Sequence, residues 1–204
     1  MTRVAGFALT SLFWLLCLVI AAASLRFLVA PLSLVMDHMS HYLPDLPLPL
    51  YAHLLGAPLA LALTPFQMWQ GLRRARPRLH RALGYAYVSA VVLSGGGALA
   101  LLPQFQGTAF AAAGFATLGV LWVGVTLRGV AFARGRQMAA HRRFMLRSVA
   151  LTFAAVTLRL IMAPLLSDGW TVVETYQITA WGAWVPNLIA VEIYLRSGSK
   201  KAPV

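Results

Sequence analysis

The sequence has few charged residues and a single cysteine. Asp, Glu, Lys and Arg make up 11% of its 204 residues, whereas soluble domains contain about 25%. With Cys17 alone, the chain can form neither an intramolecular disulfide nor a cysteine-based metal site. The sequence also lacks a phosphate-binding loop, an HExxH motif and a serine nucleophile elbow. These absences favour a membrane protein that is not an enzyme.

Acidic residues are scarcer than basic ones, with 5 Asp and Glu against 17 Lys and Arg. Such an excess can indicate nucleic-acid binding, but here most of the basic residues cluster at the ends of apolar blocks. This distribution is typical of the positive-inside rule for membrane proteins. We therefore expect no nucleic-acid partner. We expect the bilayer itself as a partner, with anionic lipids attracted to the cytoplasmic face.

Hydrophobic residues form 60% of the chain and occur in six blocks, each long enough to cross a bilayer as a helix. Basic residues lie at both termini and in the turns after the second and fourth blocks, while four of the five acidic residues lie in the other loops. We predict an all-α integral membrane protein of the bacterial inner membrane, a single polytopic domain over 1–204. Its six transmembrane helices would form one bundle with both termini in the cytoplasm. The predicted spans are about 5–29, 50–71, 80–102, 108–132, 141–165 and 176–196.

The segment 31–49 is too short and too rich in proline to be a further span. Its apolar residues before Pro44 predict a short interfacial helix in a loop on the outer face.

The fifth block carries Arg147 and Arg159 inside an apolar run. A charge at that depth is costly and normally faces a bundle interior, a cavity or a bound anion. At about 100° per residue, His141, Ser148 and Thr152 share one helix face with Arg159. We expect the other spans to surround this stripe.

The predicted topology groups the polar residues of the spans at two depths. His80 and His141 open the third and fifth spans, which run in the same direction, so we expect them at one cytoplasmic depth. Interfacial histidines and aromatic residues are common at span ends, and this simpler interpretation stays open. The inner group contains Gln67, His80, Tyr87, His141, Arg147 and Glu192. The outer group contains His53, Arg159, Trp181, Trp184 and Asn187, with His38 and His41 in the adjacent loop.

Several motifs occur together in four of the six blocks. They are His53-x-x-Gly56 with Pro65-x-Gln67, His80-Arg81-x-x-Gly84-x-x-Tyr87, His141-x-x-x-Met145-x-Arg147-Ser148 with Thr157-Leu158-Arg159, and Trp181-x-x-Trp184-Val185-Pro186-Asn187 with Glu192. This combination resembles the bacterial family of predicted membrane proteins called domain of unknown function 2306, over about residues 50–195. One departure is Thr64, where the pattern has Gly. The resemblance implies no activity, but it implies that the family is defined by His53, Gln67, His80, His141, Arg159 and Asn187.

Three functions stay open from the sequence. The first is a haem b or electron-transfer protein, with His80 and His141 as axial ligands and Arg147 or Arg81 near the propionates. The second is an accessory or scaffold subunit of a larger respiratory or photosynthetic membrane complex, which the short loops would suit. The third is a carrier or a lipid- or quinone-binding protein, in which Arg159 and the aromatic residues of the sixth span hold a headgroup.

Overall fold

The structure is a computed structural model that describes residues 3–199. Over that range all regular secondary structure is helical. Six segments are long and apolar enough to cross a membrane, which confirms the predicted number of spans. They are Ala5–Leu28, Pro47–Met68, Pro77–Gln104, Ala109–Arg134, Met138–Ser167 and Val172–Ser197.

The helices are named here in chain order. They are α1 (Arg3–Ser24), α2 (Leu32–Val35), α3 (Asp37–Ser40), α4 (Pro47–Met68), α5 (Gln70–Ala75), α6 (Pro77–Leu101), α7 (Ala109–Arg134), α8 (Met138–Thr152), α9 (Ala154–Ser167), α10 (Val172–Gly182) and α11 (Val185–Ser199). Short 3₁₀ turns follow α1 and α6, at Arg26–Leu28 and Leu102–Gln104.

Four of the spans begin three or four residues earlier than predicted from the sequence, at Pro47, Pro77, Met138 and Val172. The second starts at Pro47, because proline fits the first turn of a helix, where no N–H donor is needed. The sixth starts at Val172 because Thr171 and Glu174 form a capping box. The Glu174 N–H donates to Thr171 Oγ1 at 3.2 Å, and the Thr171 N–H donates to Glu174 Oε2 at 2.8 Å.

The segment between the first two spans contains the short helices α2 and α3. A helical turn before Pro44 is therefore confirmed, while its place on the outer membrane face stays a prediction. Tyr42 anchors this segment, since its side chain is only 3% exposed. That burial raises the pKa of the Tyr42 phenol.

The fifth and sixth spans are each interrupted, which corrects the expectation of continuous helices. The sixth is broken between α10 and α11, where Pro186 has no N–H to donate to the carbonyl of Gly182. The fifth is broken at Phe153 without a proline. There Thr152 Oγ1 donates to Ser148 O at 2.9 Å and Thr157 Oγ1 donates to Phe153 O at 3.4 Å. Such bonds back to the preceding turn bend helices.

The chain divides into two compact units, one up to Gly97 and one from Ala98. In the first unit α1 packs on α4, and α4 packs closely on α6. A Cβ at Gly56 would lie 2.8 Å from Ala90 O, and one at Gly97 would lie 2.5 Å from Pro49 O. Glycine therefore permits the close approach of α4 and α6, as small residues do in membrane helix packing.

In the second unit α7 is the central helix, since α8 and α10 both pack on it, while α11 packs on α8. Gly114 allows the contact with α10, because a Cβ there would lie 2.7 Å from Ala180 O. The contact with α8 at Gly129 depends less on glycine, because a Cβ there would lie 2.9 Å from Met145 Sδ, which belongs to a flexible side chain, and 3.4 Å from Phe144 Cβ.

Candidate functional site

A line of polar contacts joins α7 to α8 through the interior of the second unit. Its hydroxyl-bearing members are buried, with Thr126 and Ser148 at 0% exposure and Thr152 at 3%. Since lipid offers no hydrogen bonds, such contacts satisfy polar groups that would otherwise be stranded in hydrocarbon. This polar seam consists of three pairs: His141 Nδ1 with Gly129 O at 2.8 Å, Ser148 Oγ with Thr126 Oγ1 at 2.6 Å, and Trp122 Nε1 donating to Thr152 Oγ1 at 2.9 Å.

The polar seam accounts for three of the four residues in the predicted stripe. His141, Ser148 and Thr152 all face α7. Arg159 lies beyond the break at Phe153 and donates from Nη1 to Ala155 O at 2.9 Å, within its own helix. The prediction that Arg159 shares a face with Thr152 assumed one continuous helix with 100° of rotation per residue. The helix is broken between these two residues, so that assumption does not hold.

The ring of His141 is oriented by the backbone of the neighbouring helix. A carbonyl oxygen only accepts hydrogen bonds, so the 2.8 Å contact with Gly129 O assigns the proton to Nδ1. In the neutral ring Nε2 then carries the lone pair and can serve as a metal ligand. α8 lies close to α7 at this bond, since a Cβ at Gly129 would lie 3.4 Å from Phe144 Cβ.

His53 in the first unit is held in a similar way. Its Nδ1 lies 3.2 Å from Ser94 O and 3.1 Å from Ser94 Oγ, and Ser94 is fully buried. Ser94 lies about 21 Å along α6 from His80, at 1.5 Å per residue. His53 and His80 are therefore too far apart to bind the same metal ion.

Gln67 lies beside the first turn of α6. Its Nε2 donates to His80 O at 3.3 Å, and its amide also lies against Gly84. Tyr87 is on the same helix about two turns further on and is 1% exposed. Gln67, His80 and Tyr87 thus belong to one unit and His141 to the other, so the predicted meeting of His80 with His141 stays a prediction.

Arg147 forms a bidentate ion pair with Glu192 of α11. Its Nε lies 2.5 Å from Glu192 Oε1, and its Nη2 lies 3.0 Å from Oε2. The guanidinium also lies over the ring of Phe144, with Cζ 5.2 Å from the ring centroid. The pair neutralises the charge that made Arg147 costly inside a span.

The two tryptophans of the outer group tie α10 to its surroundings. Trp181 Nε1 donates to Phe110 O of α7 at 3.1 Å, and Trp184 Nε1 donates to Ala180 O at 2.8 Å. Their ring centroids lie 5.5 Å apart with the ring planes tilted by 37°, and the ring of Phe110 lies 5.9 Å from that of Trp181. Both indole N–H groups are therefore engaged in packing contacts.

Asn187 connects the two interrupted spans near their middle. Its Nδ2 donates to Thr157 Oγ1 of α9 and to Ala183 O, both at 3.0 Å. The same nitrogen lies 3.4 Å from Ala150 O of α8. The Asn187 amide thus provides hydrogen bonds to a hydroxyl group and to backbone carbonyls beside the two breaks. Broken helices in a membrane need such partners, because lipid offers none.

A family model described as "Predicted membrane protein (DUF2306)" matches residues 50–195, well over half of the chain. The chain belongs to the DUF2306 family. The match includes the polar seam, the Arg147–Glu192 pair and Asn187. Comparison with curated proteins gives no match, and comparison with solved structures gives none either.

The α7 side of the polar seam was not predicted from the sequence of this DUF2306 protein. Trp122, Thr126 and Gly129 recur at intervals of four and three residues, which is the signal that one helix face carries them. Within residues 3–199 no group of three or more His, Cys, Asp or Glu side chains is placed to hold a metal ion. Haem needs fewer protein ligands than such a group, because the porphyrin supplies four.

Proposed function

We propose that this DUF2306 protein binds haem b in the bacterial inner membrane, with His141 as an axial ligand of the iron. The supporting observation is the hydrogen bond from His141 Nδ1 to Gly129 O. Histidines that bind metals generally donate their other ring N–H to a carbonyl or carboxylate, which fixes the tautomer and the ring orientation. The contact between His141 Nδ1 and Gly129 O has this arrangement.

The charges around His141 suit the two propionates of a haem. Arg142 and Arg143 follow it directly, and both are exposed. Guanidinium groups bind carboxylates through charge-assisted, often bidentate, hydrogen bonds. Arg147 is already paired with Glu192, so Arg142, together with Arg81 of the third span, replaces it in our proposal as a propionate partner.

We propose His80 as the second axial ligand, on the sequence argument that the third and fifth spans run in the same direction. His53 cannot share an iron with His80, since about 21 Å of α6 separates them. The proposal places both termini in the cytoplasm, where the basic turns of the chain would also lie.

The experiment compares two variants that each remove one contact of the polar seam. His141→Ala removes the proposed ligand, whereas Ser148→Ala removes a hydrogen bond but no ligand atom. After expression in haem-sufficient cells and purification, the wild type and Ser148→Ala should show the Soret and reduced α bands of haem b. His141→Ala should lose them or show a changed axial ligation.

If Ser148→Ala and His141→Ala keep identical spectra, His141 is not a ligand and only ties α8 to α7. A histidine-free outer loop, made by replacing His38 and His41 with Ala, serves as the control for nonspecific haem binding. That variant should keep the wild-type spectrum.

A further inference from the structure

A cluster of arginines surrounds the carboxylate of Glu192. Arg147 forms the bidentate pair with it, Arg143 lies one turn before Arg147 on α8, and Arg196 lies one turn after Glu192 on α11. Arg143 and Arg196 therefore lie at the same end of this pair, and because Glu192 already holds Arg147, their exposed side chains leave an excess of positive charge there. A bound anion at this end of α11 would neutralise the excess positive charge.

An apolar groove runs along α11 and ends at this cluster. Leu188, Ile189 and Ile193 line it, and Glu192 and Arg196 lie at its basic end. Ile189 and Ile193 are 54% and 61% exposed. The groove begins at Trp184, so it extends about 18 Å along the helix at 1.5 Å per residue. That length is close to half of the ~30 Å hydrocarbon core of a bilayer.

We propose that this groove binds one anionic phospholipid, with the phosphate at Arg143 and Arg196 and an acyl chain along Ile189 and Ile193. The charge at one end and the apolar surface beside it match the two parts of such a lipid. Arg147 contributes less to the phosphate, because Glu192 already holds its guanidinium. The proposal does not depend on haem binding.

The test measures lipid binding to purified, delipidated protein by native mass spectrometry and by thermal stabilisation. The probes are phosphatidylglycerol, phosphatidylcholine with the same acyl chains, and inorganic phosphate. The test variant is Arg143→Gln/Arg196→Gln. The control is Arg74→Gln/Arg76→Gln, which removes two exposed arginines from the basic turn of the other unit.

We expect the wild type to bind phosphatidylglycerol in preference to phosphatidylcholine. The test variant should bind it about thirty-fold more weakly, since each basic residue near a membrane surface contributes about fivefold. The control variant should keep wild-type affinity. Equal weakening in both variants would show general attraction to the positive charge of the chain and overturn the proposal. So would equal binding of the two lipids, or full competition by inorganic phosphate.

Discussion

Replacing Glu192 by Gln removes the charge that Arg147 meets inside the fifth span. The pair consists of two charge-assisted hydrogen bonds, and its side chains are 19% and 32% exposed. Breaking a fully buried pair costs about 3–5 kcal/mol, and an exposed pair contributes about 0–1 kcal/mol. Because this pair lies between those limits, we expect Glu192→Gln to lower the free energy of unfolding by about 2 kcal/mol.

The assay is a double-mutant cycle with Arg147→Gln, Glu192→Gln and the double variant, unfolded reversibly in mixed micelles. For a chain of this size, a loss of about 2 kcal/mol corresponds to roughly 4–8 °C in Tm. The double variant should be less destabilised than the sum of the single variants, because it leaves no unpaired charge. Arg134→Gln, at an exposed position at the end of α7 in the same unit, is the matched control and should change Tm by less than about 2 °C. Strictly additive single effects would refute the ion pair.

Three further predictions concern packing, the interrupted spans and topology. Gly97→Ala should destabilise the protein by about 1–3 kcal/mol in thermal unfolding, because its Cβ would lie 2.5 Å from Pro49 O. Gly96→Ala is the control: its Cβ meets no atom within 4 Å, so this substitution should be neutral or stabilising. Asn187→Leu should cost roughly 1 kcal/mol and increase hydrogen exchange around the breaks, because Thr157 Oγ1 loses its amide partner; unchanged exchange would contradict its linking role. A reporter at the carboxyl terminus should be active only in the cytoplasm, and periplasmic activity would reverse the proposed topology.

The number and approximate position of the spans could be predicted from the sequence, because block length and loop charge are local properties. The interruption of the sixth span was also encoded locally, in Pro186. The break at Phe153 has no such marker, since it coincides only with Thr152 and Thr157 bonding back to their own helix. Threonine makes such bonds in many continuous helices, so its presence alone does not predict a break.

The partners of the polar residues could not be predicted in the same way. In a soluble protein the apolar face of a helix faces the core, but in a membrane both the lipid and the protein interior are apolar. The sequence therefore predicted that His141, Ser148 and Thr152 share one helix face, but it did not predict that this face contacts α7. Depth placed Arg147 and Glu192 in one group, but their pairing depends on α8 packing against α11.

The haem content of the purified protein tests the central proposal most directly. Full-length protein from haem-sufficient cells should contain about one haem b per chain by the pyridine haemochromogen assay, as an axial histidine site implies. The His141→Ala variant should contain much less at equal protein concentration. A colourless wild-type protein that also fails to bind added haemin in micelles would contradict the proposal.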